Sequence, residues 1–131
     1  MPLLFDEDYR MLKEWGIAFE EGESQRIFVF KDYQLLRNIY TTLSCDVLVM
    51  IPANYNQAGN DMFWTHPRPY RLDGRPIPTV MEPGGGDSRN WGNREFCRWS
   101  RHWPPSSWKP GTDDITSIYR RVDWALRNPG P

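Results

Sequence analysis

A thiol and an imidazole, Cys97 and His102, lie five residues apart within FCRWSRHWPPSSWKPGTDD, the stretch from Phe96 to Asp114. Trp99, Trp103, Trp108 and the pair Pro104-Pro105 surround them. A segment so rich in Trp and Pro costs little entropy to order, which suits a surface that holds one thiol in a fixed pose. A free thiol near an imidazole is a candidate nucleophile. Arg98, Arg101 and His102 would favour the thiolate of Cys97 if they pointed toward it. His102 could instead act as the base that deprotonates an acceptor. For an oxyanion donor the choices are Asn90, Asn93 or a backbone N–H of the loop Gly84-Gly85-Gly86.

Each of these residues also has a plain structural reading. Cys97, between Phe96 and Arg98, can be a small buried hydrophobe. If Phe96 to Trp99 is extended, Cys97 and Trp99 share a face, and that face can be core. His102 can hydrogen-bond the loop backbone. Cys45 lies mid-strand on an apolar face and reads as core. Arg120 and Arg121, opposite the apolar stripe of the last helix, read as a solvated face. Gly84-Gly85-Gly86-Asp87 lacks the Gly-Lys-Ser/Thr that a phosphate-binding loop carries, and reads as a plain loop.

The elements that must position these groups follow from patterning. Asp6 as N-cap, acidic residues in the first turn and Gly16 after the last predict a helix over 6–15. Residues 17–21 and 26–31 read as two strands joined near Gly22. Residues 43–51 alternate as a third strand, and 61–65 form a fourth. From His66 to Asn93 the chain is rich in Pro and Gly, and reads as a long loop of the kind that carries function. Thr112 is expected to cap a helix with Ile115, Ile118, Tyr119, Val122, Ala125 and Leu126 on one face, stopped by Asn128-Pro129-Gly130. The order predicts an α+β domain: an N-terminal helix, a four-stranded antiparallel meander, a long active-site loop and a C-terminal helix.

Length and charge narrow the classes. At 131 residues one domain, 1–131, is expected, large enough for a core without disulfides or metal. A net charge of −1 gives no bulk attraction to nucleic acid or anionic membrane. No apolar run approaches the ~20 residues of a membrane span. Acids stand at the N-terminus where a signal peptide has Lys or Arg, so a cytoplasmic location is expected. Two cysteines without CxxC spacing make a zinc site improbable and two free thiols the simpler reading.

Particular residues add a family resemblance. Ile51-Pro52-Ala53-Asn54-Tyr55 resembles the Pro-xx-Tyr-Pro turn of ubiquitin-conjugating (UBC) proteins, with Asn56 in place of the second proline. Trp108-Lys109-Pro110 before a helix resembles their Trp-x-Pro element. DMFW, then RWSRHWP, then W-x-P-G-x-D-D is similar to the bacterial branch called prokaryotic E2 family E. The resemblance implies a UBC-like fold and a thioester carrier with Cys97 as its nucleophile. It implies a ThiF-like activating enzyme, a ubiquitin-like protein and a JAB-type peptidase as partners. ATP is used by the activating enzyme, so the chain itself needs no cofactor. The first helix docks the activating enzyme in that family, which makes Asp6, Glu7, Arg10 and Lys13 candidate contacts. A catalytically inactive adaptor of the same shape is the alternative. A small Cys–His hydrolase on an unrelated fold is a third, disfavoured because no third orienting group is evident.

Overall fold

A computed structural model of the chain describes residues 2–130. Its elements are α1 (Asp6–Glu14), β1 (Phe19–Gly22), β2 (Ile27–Gln34), β3 (Ser44–Met50), β4 (Phe63–His66), β5 (Arg89–Trp91), β6 (Arg94–Trp99) and α2 (Ile115–Arg127), with one 3-10 turn at Pro105–Ser107. The sheet is antiparallel in the order β1-β2-β3-β4-β6-β5. The α+β class stands as expected; the sheet has six strands, not four.

Helix α1 starts at Asp6, with Phe5 and not Asp6 in the cap position, and the charges of Asp6, Glu7 and Asp8 suit the positive end of the helix. It stops at Gly16, whose φ of +68° lets the chain turn while its N–H donates to the Lys13 carbonyl. The last helix is capped by Asp114, not by Thr112. Asp114 accepts from the backbone of Thr116 at 2.9 Å and of Ser117 at 3.4 Å. Thr112 belongs instead to the turn before it, donating its N–H to the Lys109 carbonyl.

Alternation along the strands sorts two apolar layers. Phe28, Phe30, Val47, Val49, Phe63 and Trp99 face α1 and α2, meeting Leu12, Ile118, Val122 and Leu126. Ile27, Val29, Leu48, Trp64 and Phe96 form a second cluster on the other face. That second cluster exists because the β5–β6 hairpin folds back over the sheet. Arg94, next to the turn of that hairpin, pairs with Asp46 of β3 and with Glu20 of β1, the latter at 2.8 Å. The stretch 66–93, expected to be irregular, thus ends in a strand. The hairpin turns at Gly92 and Asn93, with φ of +58° and +60°. Positive φ at both central residues is the turn whose twist matches the flanking strands. With both faces covered, β2 and β3 read as nearly continuous buried runs.

One buried carboxylate ties the helical side together. Asp8 accepts from the Phe5 N–H at 2.9 Å, the Tyr55 hydroxyl at 3.0 Å and the Ile115 N–H at 3.2 Å. It links α1, the turn after β3 and the first turn of α2. Beside it the Trp108 indole donates to the Asn56 carbonyl at 2.9 Å, and Gly59 lies so close to that ring that a Cβ would come within 2.3 Å of it.

Candidate functional site

Strand β6 sets the direction of every side chain near Cys97. Glu95, Cys97 and Trp99 point to one face, Phe96 and Arg98 to the other. Cys97 pairs across the sheet with Thr65 of β4, next to the stacked pair Phe63 and Trp99. On the opposite side of β6, Val80 bridges Trp99 and the Met81 N–H donates to the Arg98 carbonyl at 2.9 Å. Extending that register by one residue brings Glu82 into the row of Cys97.

Arg68 spans from the end of β4 to this outer segment. Its Nε donates to the Met81 carbonyl at 3.2 Å and its Nη1 to the Pro69 carbonyl at 2.7 Å. Its Nη2 lies 3.3 Å from a Glu82 oxygen, and its guanidinium stacks 4.5 Å from the centre of the Tyr70 ring. The Tyr70 hydroxyl donates to the other Glu82 oxygen at 3.0 Å, and Glu95 accepts from the Gly84 N–H at 2.8 Å. Cys97 is 2 % exposed and Arg68 8 %, while Tyr70 and Glu82 face solvent. Burial pushes the Cys97 thiol up from its ordinary range; Glu95 and Glu82 push the same way, and Arg68 opposes them. Cys45, also free and buried, is raised by burial and by Asp46, and packs in the main core.

The groups expected around Cys97 from the linear sequence lie elsewhere. Arg98 points to the other face and pairs with Asp87. Arg101 donates to the Asn128 carbonyl at 3.0 Å and stacks on Trp124. His102 is exposed and holds Asp61 through Nδ1 at 2.8 Å. Asp61 precedes β4, beyond Phe63 from the Thr65 that lies opposite Cys97. His102 is therefore not the partner of this thiol. Asn90 is exposed on β5 opposite Glu95, and Asn93 serves the hairpin turn.

Arg121 is not a solvated residue. It stacks on Trp103 and Trp108 at 5.2 and 5.1 Å and donates to the Asn60 carbonyl at 2.9 Å. Arg120, which is exposed, lies over Trp15. On α1, Asp6, Glu7, Arg10 and Lys13 all face solvent, with Arg10 paired to Glu7 and Glu14.

Sequence reasoning missed Thr65, Arg68, Tyr70 and Glu82. The available signal was His66-Pro67, which leads directly into Arg68. It stands about thirty residues before Cys97 along the chain, yet the β4–β6 pairing makes the two neighbours. His66 Nδ1 lies 2.9 Å from the Glu95 carbonyl, fixing the end of β4 against β6.

Comparison with protein families gives the class: an E2-like protein of the ubiquitin-conjugating type. The family model of prokaryotic E2 family E matches residues 4–129, and the chain belongs to that family. Comparison with curated proteins and with solved structures gave no significant match. Among the described residues no helix is long and apolar enough to cross a membrane.

Proposed function

We propose that this protein carries a ubiquitin-like modifier as a thioester on Cys97. In this reading the chain acts as one UBC-like domain in the cytoplasm. The modifier arrives with its C-terminal carbonyl bonded to the thiol of a ThiF-like activating enzyme. The Cys97 thiolate attacks that carbonyl, a new C–S bond forms, and the activating enzyme's thiol leaves and takes up a proton. An acceptor amine or hydroxyl then attacks the same carbonyl, loses its proton, and Cys97 departs as thiolate. Asp6, Glu7, Arg10 and Lys13 on the exposed side of α1 are offered as contacts for the activating enzyme. A JAB-type peptidase is proposed to remove the modifier in the same pathway.

The observation that carries this reading is membership of an E2 family across residues 4–129, with Cys97 inside the FCRWSRHWP segment. A second reading, an adaptor that binds the modifier or activating enzyme without covalent chemistry, is favoured by one feature: the thiol is covered and held toward its neutral form. A charging assay separates the two. The chain is incubated with activating enzyme, ubiquitin-like protein and ATP, then run on gels with and without thiol reductant. A reductant-sensitive adduct lost in Cys97→Ala and kept in Cys45→Ala supports the carrier. An activating enzyme that charges itself and passes nothing on supports the adaptor.

A further inference from the structure

Four charged or polar groups close around Cys97, and their connections are unequal. Glu95 comes from the same strand and is occupied with the Gly84 N–H at 2.8 Å. Arg68 is buried and anchored to two backbone carbonyls, so it has little freedom to leave. Tyr70 and Glu82 are exposed and held to one another and to Arg68, with Glu82 in the row of Cys97. The backbone after Glu82 is held in a turn, with the Gly85 N–H on the Glu82 carbonyl at 3.1 Å and the Gly84 N–H on Glu95, so freedom to move belongs to the exposed Glu82 side chain. The anchored part of the cover is the cation, and the part able to swing away is the anion.

We propose that Glu82 is a latch on the nucleophile of this E2-like protein, and that Arg68 is the positioning residue it restrains. In the latched arrangement Glu82 offsets the charge of Arg68 and is itself held by the Tyr70 hydroxyl. When Glu82 swings out, the row holding Cys97 keeps an anchored guanidinium without its exposed counter-ion. That cation then favours the Cys97 thiolate. A basic side chain on a docking partner, competing for Glu82, is the chemistry suited to release it. The catalytic part of this inference rests on Cys97 being the thioester carrier; the latch itself does not.

The test reads the thiol directly. The pH-dependence of Cys97 alkylation by iodoacetamide is followed by mass spectrometry of its own peptide, so Cys45 stays native. The groups facing Cys97 are Glu95 on its own strand, Glu82 on the outer segment, and Arg68 and Tyr70 after β4. Glu82→Gln is expected to lower the alkylation midpoint by about half to one pH unit, raising the rate at neutral pH roughly three- to tenfold. Arg68→Gln is expected to move the midpoint the other way, and Arg68→Lys to restore part of it. Opposite signs are the signature, because a merely loosened cover accelerates alkylation in every variant. If both Glu82→Gln and Arg68→Gln speed the reaction without moving the midpoint, or neither alters it, the latch is overturned. Where Arg68→Gln fails to fold, Glu82→Lys replaces it: a lower midpoint still than Glu82→Gln supports the latch, an equal one overturns it. The charging assay separates the two proposals, since a latch with no adduct removes the carrier reading alone, and an adduct with unmoved midpoints removes the latch alone.

Discussion

Replacing Asp8 by alanine should destabilise the helical side of this fold by as much as losing a core side chain. Three donors converge on its carboxylate, and they lose it at different cost. The Ile115 N–H belongs to a residue with no exposed surface, so it is left buried and unpaired, about 1–3 kcal/mol. The Tyr55 hydroxyl is partly buried and loses about 1 kcal/mol. Phe5 is exposed, water takes over its N–H, and the loss is a few tenths of a kcal/mol. The sum is about 3 kcal/mol, a large share of the roughly 5–15 kcal/mol that holds a typical domain folded. For a chain of this length that lowers Tm by about 10 °C. Urea unfolding followed by tryptophan fluorescence measures it, with Asp6→Ala on the exposed face as a control expected within about 0.5 kcal/mol. A double-mutant cycle of Asp8→Ala with Tyr55→Phe should return a coupling of about 1 kcal/mol. If Asp8→Ala costs less than about 1 kcal/mol and the cycle closes to zero, Asp8 is not the tie between α1, the turn and α2.

Gly59→Ala drives a methyl group to within 2.3 Å of the Trp108 ring, which is pinned by its bond to the Asn56 carbonyl. Overpacking of this kind costs about 1–3 kcal/mol, and urea midpoints should show it for Gly59→Ala but not for Gly86→Ala, where the added Cβ meets open space. Stability should also fall on the alkaline side. Burial raises Cys45, Cys97, Tyr33, Tyr40 and Tyr55, and pushes Tyr9 up to about 12 with help from Glu21, so the folded chain keeps protons that the unfolded chain releases. Their stabilisation is complete below about pH 8 and is lost as pH climbs, thiols first and tyrosines from about pH 10. Cys45 alone accounts for about 2 kcal/mol at pH 10 while it stays protonated. A urea midpoint unchanged between pH 8 and pH 10 contradicts this reading.

The features legible in the sequence are those that one segment decides for itself. Acids at the start of α1 and Gly16 at its end, the alternation of β3 and the apolar stripe of α2 are local patterns, and each element forms where it was expected. The cap of α2 falls two residues beyond Thr112, since Thr112 and Asp114 are both good caps by type and only the fold selects between them. The β5–β6 hairpin was hidden although Gly92-Asn93 is a sound turn signal. Its strands are short, and β5 carries exposed polar residues, so periodicity had little to report.

Family membership was equally a matter of sequence, since W-x-P-G and RWSRHWP are runs of contiguous residues. The surroundings of Cys97 were not. In an extended strand the nearest neighbour in sequence points away, so Arg98 serves the opposite face, and His102, five residues on, lies beyond reach. Only the pairing of β6 with β4 on one side and with residues 79–81 on the other brings Arg68 and Glu82 to the row of the thiol. Composition and spacing decided that a free thiol stands in this Trp- and Pro-rich segment. Cross-strand register decided which charges it meets, because electrostatic influence depends on distance through space and the fold alone sets that distance.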